Sequence, residues 1–88
     1  MEKSIFFATY GGQCYTKAYG GRKLYKKAIR LSNVMDENKN LISKEIIVSL
    51  SKAFSNCPDK LTYRDNIEFE AVLTSDNRLL YLSNIKKL

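Results

Sequence analysis

The run Ile67–Leu73, IEFEAVL, alternates strictly: Ile67, Phe69, Ala71 and Leu73 fall on one side, Glu68, Glu70 and Val72 on the other. A period of two is the signature of a half-buried strand. Ser75-Asp76-Asn77-Arg78 follows with turn-forming side chains, and Leu79–Leu82 is apolar again. The spacing predicts a strand, a tight turn and a returning strand. Asn84–Leu88 is read as a basic end beyond that hairpin.

The chain before it breaks into similar pieces. Ser4–Tyr10, SIFFATY, is rich in β-formers and predicts a strand. Gly11-Gly12 reads as a bulge or sharp bend, the device with which small barrels curve a first strand. Cys14–Tyr19 alternates, with Tyr15, Lys17 and Tyr19 on one face and Cys14, Thr16 and Ala18 on the other. The small side is expected to pack inward, and Gly20-Gly21 ends the strand. Arg22–Met35 carries two periods at once. Leu24, Ala28, Leu31 and Met35 have helical spacing; Ile29, Leu31 and Asn33 have strand spacing. The polar turn Asp36–Asn40 and the β-branched run Ile46-Ile47-Val48 decide for a hairpin from about Leu24 to Val48. Ser49–Asn56 reads as a short helix with Ser51 as cap, Ala53-Phe54 as apolar face and Pro58 as stop. Arg64-Asp65-Asn66 is a further turn. Phe6, Phe7, Phe54 and Phe69 are expected in the core.

Strand, strand, strand, short helix, strand, strand is the order of a five-stranded OB-fold barrel, so the expected fold is all-β with one short helix, a single domain over residues 1–88. Its ligand face would lie on the middle strands and on two loops, here Gly20–Lys23 and Ser75–Arg78. The rival is a winged-helix-like α+β fold. It needs helices at Arg22–Met35 and Ser43–Phe54, with residues 66–83 as wing; Ile46, Ile47, Leu50 and Phe54 do share a helical face.

Residues 26–88 resemble small OB-fold proteins of bacterial phages and mobile elements. The matching pieces are KKAIRLSNV, the turn DENKN with its aliphatic strand, SKAF, and IEFEAVL…YLSNIKKL. Where such proteins open the fourth strand with Gly-Asp, this chain has Arg64-Asp65-Asn66, and its third strand lacks the aromatic often found there. The resemblance implies binding of single-stranded DNA or RNA, or loss of that role to a protein partner; DNA is the expected ligand ahead of RNA.

The net charge of +6 is one-sided. Residues 1–30 hold Lys3, Lys17, Arg22, Lys23, Lys26, Lys27 and Arg30 against Glu2 alone; from residue 31 onward eight basic side chains meet eight acidic ones. A charge so placed makes a field that attracts polyanions. Single strands are held by aromatic planes under the bases and cations along the phosphates. Tyr15, Lys17 and Tyr19 are the expected platform. Arg22, Lys23, Lys26, Lys27 and Arg30 are the expected phosphate contacts, with Tyr25 and Arg78 beside them and Tyr10 and Tyr81 as secondary aromatics.

Enzyme chemistry finds little footing. The chain has no histidine, no P-loop and no dinucleotide fingerprint. Glu68 and Glu70 are the one close carboxylate pair on a strand, and solvated or lysine-paired glutamates are the better reading. Cys14 and Cys57, with no histidine to join them, build no zinc set within one chain and read as reduced thiols. No cofactor is implied. No apolar run is long enough to cross a bilayer, and Ile5–Ala8 is too short for a signal-peptide core, so a cytoplasmic protein is expected. The expected activity is non-enzymatic binding of single-stranded nucleic acid in replication or transfer of a phage or mobile element. The alternative is a module that inhibits or recruits a host protein through the same basic face. Sheet edges in small barrels pair, which leaves a homodimer open.

Overall fold

The computed structural model describes residues 3–17 and 25–88, and for Thr16, Lys17 and Tyr25 only the backbone. Among them the elements run β1 (Ser4–Lys17), β2 (Tyr25–Asp36), β3 (Leu41–Ser49), α1 (Lys52–Ser55), β4 (Asn66–Leu73) and β5 (Leu79–Lys87). The strands form one antiparallel sheet in the order β3-β2-β1-β4-β5. Of the two stretches that a winged helix would need as helices, Tyr25–Met35 and Ser43–Ser49 are strands and only Lys52–Phe54 is helical, so the described residues exclude that alternative. β3 and β5, the sheet's two edges, approach each other without pairing. The sheet is curled but not closed into a barrel.

β1 is the shared strand. Its first half, Ser4–Thr9, pairs with β4, while Phe6–Lys17 pairs with β2. Tyr10 still exchanges backbone hydrogen bonds with Arg64 and Asp65; past it β1 has β2 alone as a strand partner, so the Gln13–Lys17 half of the strand and the Tyr25–Ile29 half of β2 run on as a two-stranded ribbon.

Bulges supply the curl. The β1–β2 register slips between Tyr10 and Gln13 and again between Phe7 and Thr9; the β4–β5 register slips twice, between Glu68 and Glu70 and between Glu70 and Val72. Each of these four slips coincides with a residue in the left-handed region, Gly12, Asn33, Asn84 and Tyr81; a fifth, in the β2–β3 ladder between Val34 and Met35, does not. An extra residue in one strand bends it and adds right-handed twist. At the first bulge the neighbouring glycine is also required by space, because a Cβ at Gly11 would lie 2.9 Å from the Arg30 carbonyl oxygen.

These bulges also correct the strand phases read from the sequence. β5 does not stop at Leu82 but runs to Lys87. With extra residues at Tyr81 and Asn84, its inward positions become Leu79, Leu82 and Ile85, a spacing of three. In β4 the alternation holds through Ile67, Phe69 and Ala71, then Val72 is buried and Leu73 exposed. That reversal falls opposite the Tyr81 bulge, where the partner strand adds twist.

Phe6 and Phe69, paired across β1 and β4, stack with ring centroids 5.9 Å apart at the centre of the core. Ile29, Leu31, Val34 and Ile67 are buried around them, and Ala53 and Phe54 of α1 pack on from outside. Phe7 and Phe54 are only half-buried, contrary to expectation; the Lys39 ammonium lies 5.5 Å from the Phe7 ring. Ser51 stands at the N-cap of α1 but makes no side-chain capping bond. Tyr10, expected as a secondary aromatic of the binding face, is buried, because the bulge that follows it comes only after its side chain has joined the core.

Two turns are pinned by carboxylates. Asp65 accepts hydrogen bonds from the Thr62 amide and hydroxyl, both at 2.8 Å, and pairs with Lys87 at 3.6 Å. Asp76 accepts from the Thr74 hydroxyl in the β4–β5 turn. The Thr62 bonds hold the Asp65 carboxyl below the usual carboxylate range, and the Thr74 bond does the same for Asp76. A carboxyl depressed by folding stabilises the native state above its unfolded pKa, and that contribution is lost as pH falls through the folded value. Stability is therefore expected to be flat from neutrality to about pH 4 and to drop below it. Chemical denaturation at a series of pH values checks this. Asp65→Asn should flatten the acid limb, and an unchanged limb would remove Asp65 from the account.

Candidate nucleic-acid interface

The ribbon built from the ends of β1 and β2 carries the expected site. Tyr15 is the cross-strand partner of Lys27, Thr16 of Lys26, and Lys17 of Tyr25. Directly paired residues project from the same face of an antiparallel ribbon. The Tyr15 ring and the Lys27 ammonium thus share one face. Tyr15 is 65% exposed, so its ring is open to a stacking partner. Lys26 and Lys27 are exposed as well, and among the described residues neither has an acidic partner within ion-pair distance.

On the opposite face Cys14 is half-buried and its partner Ala28 buried, but the side that runs into the core cluster is that of Tyr15, through Ile29, and not the small-residue side. The Tyr15–Lys27 pair continues the face of the Gln13–Ile29 pair two residues earlier. Gln13 and Ile29 wall a groove of ≈ 340 Å³, shared with Tyr10, Leu50, Phe54 and Leu61. Gln13 escapes a search of the sequence for rings and cations, because an isolated glutamine between a glycine pair and a cysteine carries no pattern.

Arg30 differs from its expected role. Its Nε lies 3.4 Å from the Glu45 carboxylate. Arg30 pairs with Ile47 and Ser32 with Glu45, so the contact is a diagonal cross-strand pair. Both side chains are about half exposed, which makes the bridge weak and exchangeable. Arg30 is nonetheless partly neutralised, and it contributes less field than Lys26 and Lys27.

Arg78 is exposed at the end of the β4–β5 turn. The β4 ladder covers Ser4–Thr9, the half of β1 that does not carry Tyr15, so no ladder brings Arg78 beside the ribbon. Tyr19, Arg22 and Lys23, with the Gly20-Gly21 turn, lie outside the described residues, and Lys17 and Tyr25 are placed by backbone alone.

The two strand glutamates are paired locally. Glu68 meets Lys86 at 3.9 Å, and Glu70 accepts from the Asn84 amide. Among the described residues no three His, Cys, Asp or Glu side chains converge to hold a metal. Cys14 and Cys57 are both free thiols, and Cys57 donates to the Ile85 carbonyl at 3.2 Å. Among the described residues no helix is long and apolar enough to cross a membrane.

Comparison with protein-family models, with curated proteins and with solved structures finds no match for this chain. The site has to be read from its own geometry.

Proposed function

We propose that this chain is a non-enzymatic binder of single-stranded nucleic acid, DNA in preference to RNA, built on an OB-like, partly open barrel. It would serve the replication or transfer of a phage or mobile element. The observation that carries the reading is the cross-strand pair Tyr15–Lys27: an exposed ring and an ammonium with no acidic partner among the described residues on one face of a two-stranded ribbon, with Lys26, the partner of Thr16, exposed on the other. A base stacks on the ring while the cations lie along the phosphates on either side of it. The concentration of net charge in residues 1–30 supports the same partner, since it gives the ribbon half of the molecule the field.

Phosphate contacts release counterions, so the affinity should fall linearly on a log–log plot against salt, with a slope of about −0.7 per phosphate neutralised on a single strand. Lys26→Ala with Lys27→Ala should make that slope shallower by about 1.4. Titrations of a labelled oligonucleotide over a salt series measure it. An unchanged slope would take these lysines out of the interface. No oligonucleotide shift at low salt, together with stoichiometric retention of a protein partner, would turn the reading to a basic face that meets carboxylates.

A further inference from the structure

Four strand positions adopt a left-handed backbone at a bulge, and three of them are the residues that do so at little cost: Gly12, Asn33 and Asn84. The fourth is Tyr81, at φ 57°. Glycine and asparagine tolerate this region; a bulky aromatic is an outlier there, and such residues collect at functional sites. Burial does not explain it. Tyr81 is 69% exposed, the most exposed of the chain's large hydrophobic residues for which burial is described. The fold would be served better by asparagine.

The surroundings of Tyr81 say what the ring does. It stands on the rim of a groove of ≈ 260 Å³ between the end of β3 and the start of β5, lined by Val48, Ser49, Ser51, Leu79 and Leu82. Arg78, exposed, precedes it on the same strand approach. The β3 wall of this groove is one strand from the ribbon. Ser49 pairs with Ala28, and the Leu50 amide donates to the Lys27 carbonyl at 3.3 Å. Tyr15 on β1, Lys27 on β2 and the end of β3 therefore follow one another across paired strands, and Tyr81 on the unpaired edge β5 lies across the groove from the end of β3.

We infer that Tyr81 is a second stacking residue, and that a single strand seated on Tyr15 crosses the end of β3 and places a further base on the Tyr81 ring above the groove. The inference rests on the nucleic-acid reading and extends the site from one ribbon to a path across the sheet. The left-handed backbone is what turns the ring out of the β5 alternation, whose inward positions on either side are Leu79 and Leu82.

Tyr81→Asn separates the two roles of the residue. It relieves the backbone, so the melting temperature should rise by about 4 °C. It removes the ring, so affinity for an oligothymidylate of about 15 nucleotides should fall about tenfold. Tyr81→Phe keeps the ring and should leave both quantities unchanged. A Tyr81→Asn protein that melts lower would show that the tyrosine serves the fold, and would overturn the inference. One that melts higher and binds as wild type does would overturn it as well. Wild-type protein that binds no oligonucleotide would instead sink the nucleic-acid reading beneath it, a result distinct from either.

Discussion

Replacing Tyr15 and Lys27 together by alanine is expected to weaken binding of a single-stranded oligonucleotide about 50-fold. Stacking on an exposed ring contributes about 1–3 kcal/mol per base, and loss of one phosphate contact adds to it. The two side chains are cross-strand partners on one ribbon face, so they are expected to act on the same nucleotide, and the pair should cost more than removal of either lysine alone. Tyr15 is largely exposed and Lys27 is exposed, so the fold should be untouched: the circular dichroism spectrum and melting temperature should match wild type. A double variant that folds and binds normally would remove the platform.

The second large effect concerns the sheet that holds the ribbon. Phe69→Ala should cost about 3–5 kcal/mol, out of a total of about 5–10 kcal/mol for a domain of this size. Phe69 is fully buried and stacked on Phe6, and that pair joins β1 to β4 at the centre of the curl. The cavity cannot close by local movement, because Ile67 and Ala71 on the same strand are themselves fully buried. Chemical denaturation should show the midpoint falling steeply. A loss under about 1 kcal/mol would mean that the core is not organised around this ring.

What could be read from the sequence, and what could not, follows from the bulges. IEFEAVL gave up its strand at once because nothing interrupts its alternation before Ala71. In Arg22–Met35 neither spacing follows the buried set: the extra residue at Asn33 moves the inward position from Leu31 to Val34, which belongs to neither the helical set Leu24, Ala28, Leu31 and Met35 nor the strand set Ile29, Leu31 and Asn33. β5 hid its second half in the same way, with Leu79, Leu82 and Ile85 inward. Asparagine at positions 33 and 84 is a fair bulge signal after the fact; tyrosine at 81 is none, since the residue opposes the backbone it adopts.

The site was legible in outline only. Alternation put Tyr15 and Cys14 on opposite faces, and the count of charges pointed to the same half of the chain; that the Tyr15 face is also the one that leads to buried Ile29 was not legible. Which cations are available was not legible. Arg30 is engaged by Glu45, fifteen residues away in sequence and adjacent only once β2 and β3 pair. Arg78 is expected at the site from the loop order of a closed barrel and Tyr10 as a secondary aromatic, whereas the ladders put the first beyond the far half of β1 and burial puts the second in the core.

The most direct test of the central claim is a fluorescence-anisotropy titration of the wild-type protein with single- and double-stranded oligonucleotides at two salt concentrations. The ribbon account predicts tighter binding of the single strand, because only unpaired bases offer a face to Tyr15, and a steep loss of affinity at the higher salt. Equal affinity for the duplex, or binding that ignores salt, would contradict it.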